Sequence, residues 1–320
     1  GAEAPRPCDA GRFCAAVNAA GAARGVVCDM AGDALCFAHL TGSKAAVVAA
    51  ASRWDAAVVE FVERDMAVWT DQAAAAPFPS PWHLDRLDAA GGVAALDGVF
   101  DTGQTGAGEG VHIYVLDTGL DEGHAEFAGR VGRGYTKFGP DPNAVVDVNG
   151  HGTHCAGIAA GARNGVAKRA TVHGVQILDA EGLGSFEDVL EGLLWVRDHG
   201  ERPAVVSLSI AGPVSATMNA AIRDMHELFG VLVVAAAGNQ ASDACAFSPG
   251  NSPDAIVVGS SDILEMSNGA YADAMSGFSN FGRCVDVYAP VSPPSPPPRP
   301  APRPSSTPRS ELTRLIRYNR

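Results

Sequence analysis

The sequence lacks any long apolar run, because no eighteen consecutive apolar residues occur in its 320 positions. A membrane span needs about 20 such residues, so we expect no transmembrane helix. Positive charge is also scarce, with 23 Lys and Arg against 36 Asp and Glu. The formal net charge of −13 argues against nucleic acid as a partner, since such proteins present basic surfaces.

Cysteine is infrequent and odd in number, with seven residues in the chain. At least one thiol is therefore unpaired within the chain. A cluster near the N-terminus matches no zinc-binding spacing, and we expect disulfides there without being able to assign the pairs. Disulfides indicate an oxidising compartment, either secreted or vacuole-like. The cluster consists of Cys8, Cys14, Cys28 and Cys36.

Three regions follow from the composition, with bounds 1–76, 77–290 and 291–320. The first contains a helical segment, Lys44–Ala51, and strand-like segments at Asp55–Val62 and Met66–Trp69, which predicts a small α+β unit. Gln72–Pro81 holds three prolines and is typical of an exposed linker that can be processed. The last region contains nine of the 21 prolines, and we expect it to be disordered.

Strands and helices alternate through the middle region, which predicts an α/β fold with a largely parallel sheet and helices on both faces. The strands are nearly continuous apolar segments, as in buried parallel sheets. A glycine-rich stretch, Gly103–Gly110, precedes the first strand instead of following it, which excludes a dinucleotide loop. The predicted strands are Val111–Leu116, Thr171–Leu178, Ala204–Ile210, Val231–Ala237 and Ile256–Gly259, and the predicted helices are Gly184–His199 and Thr217–Phe229.

The stretch Asp147–Gly161 begins with a polar loop and continues into a helix of small residues. His151 stands at the helix start, where little side-chain bulk separates it from a neighbouring element. Three interpretations are open: a general base, a metal site shared with His154, or a capped Ala-rich core helix.

Asp117 and Asn239 each follow an apolar strand. A carboxylate at the carboxyl end of a parallel strand is often functional, although Asp117 alone could simply cap the following turn. Together with His151 they suit acyl transfer, in which Asp orients an imidazole, the imidazole accepts a serine proton, and an amide meets the oxyanion.

Three motifs in this order resemble the subtilisin-like serine proteases, and their proteinase K branch in particular. They are Ile113–Gly119 around the aspartate, Gly150–Gly157 around the histidine, and Val233–Asn239. The resemblance implies a three-layer sandwich in which Asp117 orients, His151 is the base and Asn239 serves the oxyanion hole.

Further segments extend the resemblance to about residues 35–290. Ser207–Gly212 is similar to the strand that pairs with substrate, which implies peptide binding by strand addition at Ser209, Ile210, Ala211 and Gly212. Residues 35–72 resemble an inhibitory prosegment, and Pro81–Leu87 resembles the start of a mature enzyme.

The resemblance also implies three features that stabilise the fold. Cys155 matches a free thiol of the branch, and Cys245 and Cys284 match a disulfide. The carbonyls of Pro253 and Ala255, with the carboxylate of Asp286, match a structural calcium site of oxygen ligands. No cofactor is required for the chemistry.

The pattern breaks after Pro290, because no Gly-Thr-Ser occurs in the chain and the family nucleophile lies in Gly-Thr-Ser-Met-Ala. Ser305, Ser306 and Ser310 lack the glycine turn before them and the small residues after them. We read Ser310 as the N-cap of a short helix over Ser310–Tyr318, and we expect a catalytic domain truncated at its C-terminal end.

The sequence therefore predicts a serine endopeptidase of the subtilisin class, hydrolysing peptide bonds by an Asp/His/Ser triad but inactive as given. The alternative is a non-catalytic pseudo-protease that binds peptide or a partner protein. The expected partners are a polypeptide substrate and the chain's own prosegment, with no nucleic acid or membrane, and we expect a monomer.

Overall fold

The computed structural model describes residues 10–21, 26–32, 37–51, 59–70, 82–101, 106–290 and 312–318. Within these ranges no helix combines the length and apolar character that a membrane crossing needs. The helices are α1 Ala10–Gly21, α2 Lys44–Ala51, α3 Trp82–Asp88, α4 His151–Ala160, α5 Phe186–His199 and α6 Ala216–Phe229. The strands are β1 Val26–Gly32, β2 Phe37–Gly42, β3 Val59–Arg64, β4 Ala67–Thr70, β5 His112–Asp117, β6 Tyr135–Thr136, β7 Thr171–Gln176, β8 Leu183–Ser185, β9 Ala204–Leu208, β10 Ile210–Pro213, β11 Leu232–Ala236, β12 Phe247–Ser248, β13 Ile256–Glu265, β14 Tyr271–Met275, β15 Val287–Pro290 and β16 Leu312–Tyr318.

An eight-stranded sheet forms the centre of the molecule, in the order β14-β13-β11-β9-β5-β7-β6, with β15 paired to β13. Its pairings are parallel except for the antiparallel pair of β13 with β14. The predicted α/β fold with a largely parallel sheet is therefore confirmed.

Alternate side chains of β5 enter two different cores, as the two-residue repeat of a strand requires. Tyr114 and Leu116 pack in the core that contains α5 and α6. Ile113 and Val115 pack with Ala156 of α4 on the other side. Helices therefore cover both faces of the sheet, which gives the predicted three layers.

The two helices on the first face begin at side-chain caps. Ser185 and Asp188 form a capping box at the start of α5, which satisfies amide groups that the first turn leaves free. Ser215 accepts a hydrogen bond from the Met218 amide at the start of α6. Both helices are thus fixed at the ends that face the N-terminal part of the chain.

The N-terminal unit consists of α1, α2 and a sheet in the order β1-β2-β16-β3. It has its own core, which includes Phe13, Val17, Leu40 and Val47. The prediction of a small α+β unit is consistent with these elements, while the linker Gln72–Pro81 lies outside the described residues.

The predicted helix at Ser310–Tyr318 is wrong. Leu312–Tyr318 is the strand β16, antiparallel to both β2 and β3, so the predicted disorder of region 291–320 is also wrong for this segment. Its Thr, Ile and Tyr favour strands, and the free edges of β2 and β3 offer unpaired backbone groups. The remaining residues of this region, including Ser305, Ser306 and Ser310, lie outside the described ranges.

Candidate active site

Asp117 and His151 come together at the carboxyl edge of the central sheet. Asp117 ends β5 and is fully buried, and His151 opens α4 and is 8% exposed. The Nδ1 atom of His151 lies 2.7 Å from Oδ1 of Asp117. An aspartate in this position fixes the imidazole tautomer, so that Nε2 is available to accept a proton.

The close approach of α4 to the turn after β5 depends on Gly152. A Cβ atom at this position would lie 2.2 Å from the carbonyl oxygen of Gly119 and 3.1 Å from Cβ of Asp117. The absence of a side chain therefore allows the helix start to lie directly on the turn that carries the carboxylate.

Asp147 holds the loop before α4 against that same turn. Its Oδ1 accepts from the Thr118 hydroxyl and the Gly150 amide, each at 2.8 Å. Its Oδ2 accepts from the Thr153 amide at 2.8 Å and the Thr153 hydroxyl at 2.6 Å. Sequence reasoning did not single out Asp147, although its place three residues before Gly150 and six before Thr153 suits such a capping role.

The charge state of His151 responds to its surroundings. Burial disfavours the imidazolium, but the charges and hydrogen bonds of Asp117 and Cys155 outweigh burial and hold the pKa of His151 well above its usual value. The Cys155 sulfur is 3.8 Å from Nδ1, and Cys155 is the free cysteine among the described residues. His154 belongs to none of the potential metal-ligand groups found in the described chain, whereas His151 groups with Asp117 and Cys155, so the structure does not support a metal site shared by His151 and His154.

Asn239 follows β11, and it lies at the same edge as Asp117 because β11, β9 and β5 are parallel neighbours. The loop that carries it is held by Asn280, which is fully buried. The Asn280 amide donates to the Ala237 carbonyl at 2.9 Å, and its oxygen accepts from the Gln240 amide at 3.0 Å. Asn280 was missed from the sequence, because only the fold brings it beside this loop.

A strand from the N-terminal part of the chain, β4, lies between β10 and β8, and the position that it fills is called the groove. β4 pairs antiparallel with β10 on one side and with β8 on the other. Ala211 lies opposite Trp69, and Val68 is fully buried next to the backbone of Gly212. Ile210, Ala211 and Gly212 therefore form a strand that accepts an extended partner, and Ser209 directly precedes it.

Two carboxylates just before β4 contact the helix starts beside the groove. Glu63 accepts from the Ser215 hydroxyl and from the Ala216 amide at 3.0 Å, at the start of α6. Asp65 accepts from the Glu187 amide at 3.2 Å, at the start of α5. The carboxyl oxygens accept hydrogen bonds from the first turns of both helices, so these contacts fix the N-terminal unit on the central domain.

The structure contains two disulfides among its described residues. Cys245 pairs with Cys284, as the sequence predicts, and Cys14 pairs with Cys28, which the sequence left unassigned. Cys8 and Cys36 lie outside the described ranges.

The segment Pro253–Val257 lies against Asp286. Oδ2 of Asp286 accepts from the Val257 amide at 2.8 Å. This contact holds the carboxylate beside the segment that carries the Pro253 and Ala255 carbonyls, so the three predicted calcium ligands belong to neighbouring parts of the fold. The donors are all oxygens, which suits a hard cation.

The sequence is similar to several curated proteases. It is 42% identical over 232 residues to the extracellular serine proteinase of Thermus sp. (strain Rt41A), covering 72% of this chain and 52% of that protein. It is 37% identical over 237 residues to the alkaline serine exoprotease A of Vibrio alginolyticus, covering 73% and 42%. The chain thus spans about half the length of these curated relatives.

A solved structure and a family model agree with these relatives. The crystal structure of a cold-adapted subtilisin-like serine proteinase superposes with a TM-score of 0.56 at 37% identity, covering 65% of this chain and 71% of that one. The model of the subtilase family matches residues 108–314, a range that includes Asp117, His151 and Asn239. From its sequence, its fold and the arrangement of its strand-end residues, the chain belongs to the subtilase family.

Proposed function

We propose that the chain carries the Asp and His of a subtilisin-class serine endopeptidase, which hydrolyses peptide bonds. The observation that carries this proposal is the buried Asp117–His151 pair, with Nδ1 2.7 Å from the carboxylate. A histidine with only a structural role requires neither a buried carboxylate partner nor a helix start that packs through a glycine. Family membership supports the same assignment.

The residues divide the reaction between them. His151 takes the proton from a serine hydroxyl as its oxygen attacks the peptide carbonyl, and Asp117 stabilises the imidazolium that forms. Asn239 donates to the oxyanion of the tetrahedral intermediate. His151 then returns the proton to the leaving amine, and the C–N bond breaks to give the acyl-enzyme, which water hydrolyses.

The serine that this reaction requires is not found in a Gly-Thr-Ser context anywhere in the 320 residues. We therefore expect a fluorophosphonate probe, which reacts with activated serines, to leave this chain unlabelled. Insertion after Pro290 of a subtilase segment containing Gly-Thr-Ser-Met-Ala should create labelling that His151→Ala abolishes. If the unmodified chain is labelled and His151→Ala abolishes that labelling, our conclusion that these 320 residues hold no activated serine is wrong.

A second function, peptide binding without cleavage, is favoured by the groove itself. β10 pairs with an extended segment through its backbone, as in peptide recognition by strand addition. If the chain with the inserted segment stays unlabelled while the unmodified chain still binds unfolded polypeptide, this alternative replaces the endopeptidase.

The N-terminal unit and β4 are proposed to act as an inhibitory prosegment. β4 occupies the place along β10 that a substrate backbone would take, and Glu63 and Asp65 secure it at two helix starts. The prosegment is thus the chain's own first partner, and polypeptide substrate would replace β4.

Docking of this unit should weaken as the pH rises through about 6. Burial raises the pKa of Asp65 from 3.8 to about 6, with smaller effects of the Glu187 amide and of the nearby charges of Glu187, His39 and Asp188. The folded state then binds a proton that the unfolded state releases between these pH values, so stability falls as the pH rises across this window. A shift of this size corresponds to about 3 kcal/mol.

The test compares the free energy of urea unfolding of the native chain and of Asp65→Asn between pH 4 and pH 8. We expect the native chain to lose up to about 3 kcal/mol relative to the variant over this range. The comparison cancels the titrating groups that do not interact with Asp65, and a difference that does not change with pH would contradict the prediction.

Calcium and secretion complete the proposal. The carbonyls of Pro253 and Ala255 and the carboxylate of Asp286 would hold a Ca²⁺ ion, which would stabilise the chain segment before β13 and supply no chemistry. Secretion is supported by the two disulfides and by the name of the extracellular Thermus relative.

A further inference from the structure

A second group of chemically active side chains lies at the amino edge of the sheet, at the other end of β5 from Asp117. It consists of His112, His173 and Glu201, and one ligand atom from each lies within 4.8 Å of the other two. His112 opens β5, His173 lies in β7, and Glu201 precedes β9. The group therefore joins three neighbouring parts of the sheet.

A hydrogen bond to the backbone fixes the tautomer of His173, so that its Nε2 atom carries no proton and has a lone pair that can bind a metal. Its Nδ1 atom is 3.0 Å from the carbonyl oxygen of Arg133, and a carbonyl only accepts, so Nδ1 carries the proton. Histidines that bind metals usually donate their other ring N–H to a backbone carbonyl or a carboxylate in this manner.

The ring of His173 is held rigidly in this orientation. It is 1% exposed and stacks on Tyr114, with ring centroids 4.2 Å apart. A Cβ atom at Gly132 would lie 2.1 Å from the imidazole, so the backbone there also packs closely against the ring. The ligand is thus positioned before any ion binds.

His112 lies between His173 and Glu201. Nδ1 of His112 is 2.9 Å from Nε2 of His173, and Nε2 of His112 is 3.9 Å from a Glu201 carboxylate oxygen. Glu201 is anchored at its backbone, because its amide donates to the Tyr114 hydroxyl at 2.6 Å. Its side chain is 67% exposed, which leaves the group open to ions from solvent.

We propose that His112, His173 and Glu201 bind a divalent transition metal, with Zn²⁺ as the preferred ion. Two imidazoles and a carboxylate suit Zn²⁺. Tetrahedral ligands at about 2.0–2.1 Å from the metal are about 3.3 Å apart, so the two nitrogens need to separate by about 0.4 Å. The proton on Nδ1 of His112 moves to Nε2, Nδ1 then donates its lone pair to the metal, and the exposed side chain of Glu201 turns from Nε2 toward the ion.

The ion would link β5, β7 and the segment before β9 at the edge of the sheet away from the triad. Three protein ligands leave a fourth position for water. The site has no part in the peptide-cleavage mechanism, so its failure and that of the proposed function can be told apart.

The test uses the full 320-residue chain without an affinity tag, dialysed against micromolar Zn²⁺, with bound zinc measured by elemental analysis. Cys155→Ser serves as the background, because Asp117, His151 and Cys155 form another group of potential ligands. We expect the Cys155→Ser chain to bind one zinc ion. In that background, His112→Asn and Glu201→Gln should each weaken zinc binding by at least about 10-fold.

Matched controls are available on the surface. His226 and Glu181 are exposed and lie outside the group, so His226→Asn and Glu181→Gln should leave zinc binding unchanged. Glu201→Gln alters an exposed side chain, and its thermal unfolding without zinc reports whether the fold is intact. Zinc that persists in both test variants, zinc that is lost only with His39→Asn, or no bound zinc would overturn the proposal.

Discussion

Replacing Asp117 with asparagine is expected to lower kcat by about 10⁴-fold in the chain that carries the inserted nucleophile segment, as in other Ser-His-Asp triads. Asparagine can donate a hydrogen bond where the carboxylate only accepts. His151 would then present the wrong tautomer, with Nε2 protonated and unable to accept from the serine. The measurement is peptide-substrate hydrolysis, with KM changing much less than kcat.

The pH profile separates this role from a general loss of structure. Asp117 and Cys155 raise the pKa of His151, so activity should increase as the pH rises through that raised value and the imidazole becomes neutral. Asp117→Asn removes the negative charge that raises the pKa of His151 most. The acid limb of the pH profile of the remaining activity should therefore move to lower pH. An unchanged acid limb with reduced kcat would contradict the assignment of Asp117 as the partner of His151.

Gly152→Ala is expected to destabilise the chain by about 3 kcal/mol, near the upper end of the usual range for overpacking. The added Cβ would lie 2.2 Å from the Gly119 carbonyl oxygen, and backbone atoms cannot move aside as a flexible side chain can. We expect α4 to shift away from β5 and to separate His151 from Asp117. In the chain with the inserted nucleophile, a misplacement of about 1 Å should lower activity by about 100-fold.

Gly157→Ala on the same helix is the matched control. A Cβ atom at this position meets no atom within 4 Å, so the substitution should be neutral or stabilise the helix by up to about 1 kcal/mol. Urea unfolding of the two variants measures the difference. Equal stabilities would show that the contact between α4 and the turn after β5 is not close-packed.

Much of the central fold could be predicted from the sequence, because buried parallel strands and amphipathic helices have distinct apolar patterns. The helix Lys44–Ala51 has the predicted bounds, and the segment predicted as the strand Val111–Leu116 appears as His112–Asp117. The prediction of Ile256–Gly259 was too short, since β13 continues to Glu265. Its second half pairs with β14, whose alternating exposed residues resemble a loop in composition.

Only part of the site could be predicted from the sequence. The order of the motifs identified Asp117, His151 and Asn239, because functional residues of α/β folds are often found after strands or at helix starts. Asp147 and Asn280 were missed, because each acts through backbone contacts whose partners only the fold brings together. The catalytic roles, the substrate residues Ser209–Gly212 and the calcium ligands stay predictions.

The tail was misjudged because its pairing is nonlocal. The prolines of the tail all lie within residues 291–311, so they do not predict the structure of Leu312–Tyr318. The partners of that strand, β2 and β3, are about 250 residues or more away in the sequence. A helix and a strand differ little in local preference over seven residues, so tertiary pairing decides between them.

The position of β16 also has a consequence for biosynthesis. β3 ends at Arg64 and β16 starts at Leu312, so about 250 residues must be made between them. At about 5–20 residues per second this interval is about 12–50 s. Until then, the edges of β2 and β3 remain open to other strands, and the sheet of the N-terminal unit can be completed only after Tyr318 has been made.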